Sequence, residues 1–129
     1  MNLKALIVED DPILQMLHQR ALKALSIESQ IAGTGVEAIQ ALKDSQFDFV
    51  LMDINMPEQD GLDAARWIRD EKDIQNRDVL IFALTSFSSP AHTKEILHAG
   101  MNEHLKKPLN HEELKKLLEK YFWSKSLHH

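Results

Sequence analysis

Strand-like and helix-like segments alternate five times along this 129-residue chain, which predicts a doubly wound α/β domain: a five-stranded parallel sheet with helices on both faces. Three observations carry the prediction. Dense apolar runs without polar alternation, Ala5 to Val8, Phe49 to Met52 and Val79 to Leu84, suit strands buried on both faces. Helical spacing fills the segments between and after them. Capping residues mark where those helices begin.

In chain order, Ala5-Leu6-Ile7-Val8 is the first strand. Asp11-Pro12 then reads as an N-cap with proline at the first helical position, and Leu14, Leu17, Ala21 and Leu25 form the apolar face of that helix. A weaker strand lies near Ile27 to Ala32. Thr34 with Glu37 makes a capping box ahead of Ala38, Ile39, Ala41 and Leu42. After the third strand, Phe49 to Met52, a helix runs from Gly61 through about Lys72. The fourth strand follows at Val79 to Leu84, and its helix starts at Ser89-Pro90 and stops near Gly100. A second weak strand spans Glu103 to Lys106. Asn110 with Glu113 opens the last helix, whose apolar face is Leu114, Leu117, Leu118 and Tyr121.

Composition narrows the class. With 43% hydrophobic and 27% charged residues, the chain has the balance of an ordinary soluble globular domain. One domain is expected over residues 1–125, with 126–129 read as a purification-tag remnant or tail, so its histidines are given no role. A formal net charge of -5 opposes direct nucleic-acid binding, which draws on clustered Lys and Arg. The absence of cysteine removes disulfides, thiolate metal sites and thiol nucleophiles. No apolar run approaches the ~20 residues that span a bilayer, so the domain is expected in the cytoplasm without membrane contact.

In open α/β sheets a ligand site lies beyond the carboxyl ends of the strands. Glu9, Asp10 and Asp11 follow the first strand, Asp53 the third, Thr85 and Ser86 the fourth, and Lys107-Pro108 the fifth. Carboxylates gathered at one rim repel, and a hard divalent cation such as Mg²⁺ offsets that repulsion. An aspartate beside such a cation, with an ammonium and a hydroxyl aimed at the same point, is equipped to attack phosphorus and stabilise its equatorial oxygens. Asp53 is the candidate nucleophile.

Four motifs occur in order: Leu6-Ile7-Val8-Glu9-Asp10-Asp11, Leu51-Met52-Asp53-Ile54-Asn55-Met56-Pro57 followed by Asp60-Gly61, Ala83-Leu84-Thr85-Ser86, and Lys106-Lys107-Pro108-Leu109. In these the chain resembles the receiver domains of two-component response regulators, from Leu3 to about Tyr121. The resemblance implies a flavodoxin-like strand order, 2-1-3-4-5. It also implies that Asp53 accepts a phosphoryl group from phosphohistidine, delivered by a sensor histidine kinase or a histidine phosphotransfer protein. Asp10, Asp53 and the backbone carbonyl of Asn55 would ligate Mg²⁺, Glu9 would act through water, Lys107 would pair with the phosphate, and Thr85 would reorient toward it. His104 stands where the family places the aromatic residue of a rotamer switch. Tyr or Phe is commoner there, and an imidazole would add pH sensitivity. That switch would remodel a partner surface on the fourth helix, fifth strand and fifth helix, in a monomer or weak dimer. The stretch Ala99 to Leu105 before Lys107-Pro108 is similar to receivers of hybrid sensor histidine kinases.

Other readings fit less well. A phosphatase with an aspartyl-phosphate intermediate wants a second acid two residues after the nucleophile, where this chain has Asn55. An EF-hand starting at Asp53 would need Gly and Glu where Glu58 and Ala64 stand. A pseudo-receiver that only binds partners would not require the set of acids, Thr85 and Lys107. The chain is therefore read as a phosphoacceptor rather than an enzyme acting on a separate substrate. Asn55 and Phe87 are expected to flank the path of hydrolytic water. Met56-Pro57 and Asp60-Gly61 read as loop-shaping, His18, His92, His98 and His111 as surface residues, and Trp67 and Trp123 as packing or contact residues.

Overall fold

The computed structural model describes residues 3–55, 61–74, 77–86 and 90–123, apart from the side chains of residues 90–92 and 123. Strands β1 (Lys4–Val8), β2 (Glu28–Ala32), β3 (Phe49–Asp53), β4 (Leu80–Thr85) and β5 (Glu103–Lys106) pair in parallel in the order β2-β1-β3-β4-β5. Helices α1 (Pro12–Ala24), α2 (Gly35–Asp44), α3 (Gly61–Asp70), α4 (Pro90–His98) and α5 (His111–Leu118) connect or follow them. The doubly wound sheet and its order are those expected. The order reverses between β1 and β3, which opens a crevice at the carboxyl ends of those neighbours.

The unbroken apolar runs are explained by two core layers. Leu6, Val8, Val50, Met52, Ile81 and Ala83 point into a layer shared with α2, α3 and α4. Their sequence neighbours Ala5, Ile7, Phe49, Leu51, Phe82 and Leu84 point into the other, shared with α1 and α5. Each successive strand residue turns to the opposite face, so a strand covered on both sides has no position left for a polar residue. Phe49 and Phe82 stack with ring centroids 5.4 Å apart. A π-helical turn, Glu119–Trp123, extends α5 and brings Tyr121 to Phe82 and Phe122 to Phe49. Nothing in the sequence pattern announced this turn.

The caps form with one difference. Asp11 accepts from the Ile13 N–H at 2.8 Å, and Asn110 accepts from the N–H groups of Glu112 and Glu113. Thr34 Oγ1 accepts from the Glu37 N–H at 3.1 Å, but the Glu37 carboxylate reaches back to the Gly33 N–H instead of closing a box on Thr34. α3 ends at Asp70, short of Lys72, and α4 at His98. Gly100, at φ 93°, donates to the Leu97 carbonyl and turns the chain out of α4, a conformation that glycine adopts without strain.

The expected apolar face of α1 is rotated. Leu17 is 39% exposed, whereas His18, Ala21 and Leu22 are buried. The surface placement expected for His18 is therefore wrong: the imidazole is 0% exposed. The inward stripe is Leu14, His18, Ala21, Leu22 and Leu25, at helical spacings of four and three residues. His98 and His111 are exposed as expected, and the side chain of His92 lies outside the described residues.

Candidate functional site

Parallel pairing sets the height at which each functional group emerges. Val8 pairs with Met52, so Glu9 and Asp53 each stand one residue above that step. Asp53 pairs with Leu84, which puts Thr85 just beyond it, and Thr85 pairs with Lys106, so Lys107 leaves β5 at the same rim. The Lys107 N–H donates to the Thr85 carbonyl at 3.0 Å. Glu9, Asp53 and Thr85 are buried, while Asp10 is exposed at the mouth. Together with Asp11, Leu14, Asn55 and Lys107, the three acids line a cleft of about 280 Å³.

Glu9, Asp10 and Asp53 each offer a carboxylate oxygen, and these oxygens lie within 4.8 Å of one another. Lys107 Nζ stands 2.5 Å from Asp53 Oδ1 and 4.0 Å from Glu9 Oε1. Asp53 Oδ1 also accepts from the Asn55 N–H at 2.9 Å. Glu9 is anchored by the Asp11 N–H on Oε2 and by the Gln15 side chain on its carbonyl. Its other oxygen, Oε1, is buried without a hydrogen-bond partner among the described residues. Burial first, and then the neighbouring Asp53 carboxylate, push the Glu9 pKa up to about 8, against the pull of the Asp11 N–H and Lys107. One lysine does not neutralise three acids. A buried carboxylate oxygen with no hydrogen-bond partner among the described residues, in an all-oxygen donor set, fits a hard divalent cation.

The expected site residues Glu9, Asp10, Asp53, Asn55, Thr85 and Lys107 thus meet at one rim. Asp11 is the α1 cap, as its position before Pro12 suggested. His104 pairs with Ala83 on β5 and is half-buried. Its neighbour Leu105 joins the α1/α5 layer, so strand alternation turns His104 toward the α4 side. Met56, Pro57, Asp60 and Phe87, and the side chain of Trp123, lie outside the described residues; Trp67 is 39% exposed.

Sequence reasoning missed the role of Gly61. It begins α3 so close to β3 that an added Cβ would lie 2.3 Å from the Asp53 carbonyl oxygen and 2.6 Å from Ile54 Cα. The available signal was a glycine at a predicted helix start, read only as loop-shaping. His18 was also missed, and the charges of Lys107 and Asp53 both act on its buried ring.

The response regulator receiver domain family matches residues 5–119. The chain is 31% identical to Probable histidine kinase 1 of Oryza sativa subsp. indica, aligned over 92% of this chain but only 15% of that protein. It is 32% identical to Two-component response regulator 24 of Arabidopsis thaliana, over 92% of this chain and 84% of that protein. Among solved structures, the receiver domain of sensor histidine kinase PA1611 from Pseudomonas aeruginosa PAO1, with a magnesium ion coordinated in its active-site cleft, superposes with a TM-score of 0.81. That match has 31% identity and covers 94% of this chain and 98% of the other. The receiver domain of Saccharomyces cerevisiae Ssk1, crystallised with the histidine phosphotransfer protein Ypd1, gives a TM-score of 0.82 at 30% identity, covering 93% and 88%.

Proposed function

The chain belongs to the response regulator receiver domain family of two-component systems, and from that premise we propose that Asp53 is its phosphoacceptor, with Mg²⁺ held beside it by Glu9, Asp10, Asp53 and the Asn55 carbonyl. The observation that carries this reading is the buried Asp53 carboxylate, 2.5 Å from Lys107 Nζ and within 4.8 Å of two further acids. When bound, the cation supplies charge neutralisation for the carboxylates and the phosphoryl oxygens. The magnesium ion in the cleft of the Pseudomonas receiver supports the same donor chemistry here.

In the proposed transfer an Asp53 carboxylate oxygen bonds phosphorus as the bond from phosphorus to a donor imidazole nitrogen breaks, and that electron pair returns to the imidazole. Lys107 steadies the equatorial oxygens and Thr85 turns its hydroxyl to them. The donor is a sensor histidine kinase or a histidine phosphotransfer protein, a choice supported by the pairing of the Ssk1 receiver with Ypd1. Thr85 and His104 form the switch that carries the change to the α4–β5–α5 surface, and the domain that accepts the phosphoryl group also promotes its loss. No helix among the described residues is long and apolar enough to cross a membrane.

Intact-protein mass after incubation with acetyl phosphate tests this reading. A magnesium-dependent adduct of about 80 Da is expected for the native chain and none for Asp53→Asn. Equal labelling of Asp53→Asn, or no labelling of the native chain, overturns it.

A further inference from the structure

Adjacent residues of an extended strand point to opposite faces, so two consecutive acids at a strand end do not ordinarily share one ion. Here they converge: Glu9 and Asp10 each place a carboxylate oxygen within 4.8 Å of the other and of Asp53. The chain therefore turns at the peptide between them. The Glu9 N–H still continues the sheet, donating to the Ala32 carbonyl at 3.0 Å, but the Glu9 carbonyl accepts from the Gln15 side-chain amide of α1 at 2.6 Å. That carbonyl belongs to the peptide plane that joins Glu9 to Asp10. Asp10 is exposed, so packing does not place its carboxylate; the direction of this plane does. Gln15 is itself held, because its N–H donates to the Asp11 carbonyl at 2.9 Å in the first turn of α1, while the Asp11 N–H donates to Glu9 Oε2 at 3.2 Å. Three hydrogen bonds thus close residues 9 to 15 into one bracket, and Glu9 Oε1 has no hydrogen-bond partner among the described residues.

We propose that Gln15 is a positioning residue for the divalent cation: by holding the Glu9–Asp10 peptide plane, it keeps the two carboxylates converged before the ion arrives. The inference rests on the receiver reading and on the cation site proposed with it. Like charges gathered at one point repel, and without the Gln15 tie the plane is free to rotate and carry Asp10 out into solvent. An arriving ion would then have to order that segment itself, and its affinity would fall accordingly. Once bound, the ion holds the carboxylates directly. Gln15 therefore governs how tightly the cation binds and not what the loaded site does, whereas a side chain that merely tied α1 to the strand end would alter stability and leave affinity alone.

The test titrates Mg²⁺ alone, without a phosphoryl donor, into native protein, Gln15→Met and Gln15→Ala by calorimetry, with thermal midpoints in chelator to show that each variant is folded. Gln15 is only half-buried, and methionine keeps its length while removing the donor. Both variants are expected to bind Mg²⁺ about tenfold more weakly, the usual effect of removing a group that orients a metal ligand. Labelling by acetyl phosphate should be slow at low Mg²⁺ and return close to the native rate once the ion saturates the site. Slow labelling that saturating Mg²⁺ does not repair overturns the inference. A native chain that binds no Mg²⁺ removes the cation site and this inference together. A native chain that binds Mg²⁺ and takes the adduct, with folded variants of equal affinity, removes this inference alone.

Discussion

Gly61→Ala is expected to cost about 3 kcal/mol of stability and to slow phosphoryl acceptance with it. The methyl group would sit 2.3 Å from the Asp53 carbonyl oxygen, 2.6 Å from Ile54 Cα and 3.0 Å from the Asp53 carbonyl carbon. All three neighbours are main chain, so no side chain can swing aside. Either α3 lifts from the sheet, opening the layer that Ala64, Ala65 and Ile68 fill, or the end of β3 moves and takes Asp53 away from Lys107. Urea unfolding checks the size: a lower midpoint at unchanged slope is expected. Stability within about 0.5 kcal/mol of native would mean that α3 and β3 are not in the contact described.

Lys107→Ala is expected to destabilise the metal-free protein by about 2–3 kcal/mol near pH 8 and by less near pH 5.5. Its ammonium is the cation nearest Asp53 and Glu9 among the described residues, and removing it leaves three clustered carboxylates uncompensated. The pH dependence follows from Glu9, whose pKa is about 8 in the folded chain against an ordinary value of 4.5. Between those values the folded state binds more protons than the unfolded one. The favourable contribution of protonated Glu9 is thus complete below 4.5 and lost as pH rises through about 8. Lys107 pulls that pKa down, so the variant should hold the proton more tightly and lose more stability once it leaves. Unfolding in chelator at both pH values checks this, and a gap between native and variant that does not widen with pH contradicts it. Phosphoryl acceptance should also fall about a hundredfold without the ammonium.

The residues carrying these effects differ in how visibly the sequence displayed them. Asp53 and Glu9 were legible because each follows an apolar run, and Lys107 because it follows the weaker fifth strand, and parallel strands bring their carboxyl ends to one rim whatever the loops do. Thr34, Asp11 and Asn110 were legible because caps are local chemistry. The inward face of α1 was not. The stripes through Leu17 and through His18 differ by one residue, and hydrophobicity alone favours the leucine. Only packing against the sheet buries the imidazole and leaves Leu17 39% exposed. Gly61 escaped for a related reason, since the distance between a helix start and a neighbouring strand is fixed by tertiary contact.

The interactions of Arg69 show the same limit. Its guanidinium donates to the Gly100 and Arg77 carbonyls and to Asn102 Oδ1, tying the end of α3 to the turn before β5 and to the segment before β4. Asn102 Oδ1 also accepts from the Ile81 N–H at 2.9 Å. These partners are distant in sequence and share no spacing rule. Glu103 likewise accepts from Tyr121 at 2.6 Å and Lys120 at 2.8 Å across the unforeseen π-helical turn.

The central claim, that the clustered acids direct phosphorus to one carboxylate, is tested most directly by locating the acyl phosphate. Borohydride reduction of protein labelled with acetyl phosphate and Mg²⁺ converts a phosphorylated aspartate to homoserine, which peptide mass analysis can place. The account predicts homoserine at position 53 alone, lost when Mg²⁺ is withheld. Homoserine at Asp10 or Asp11 instead, or labelling confined to a histidine, would contradict it.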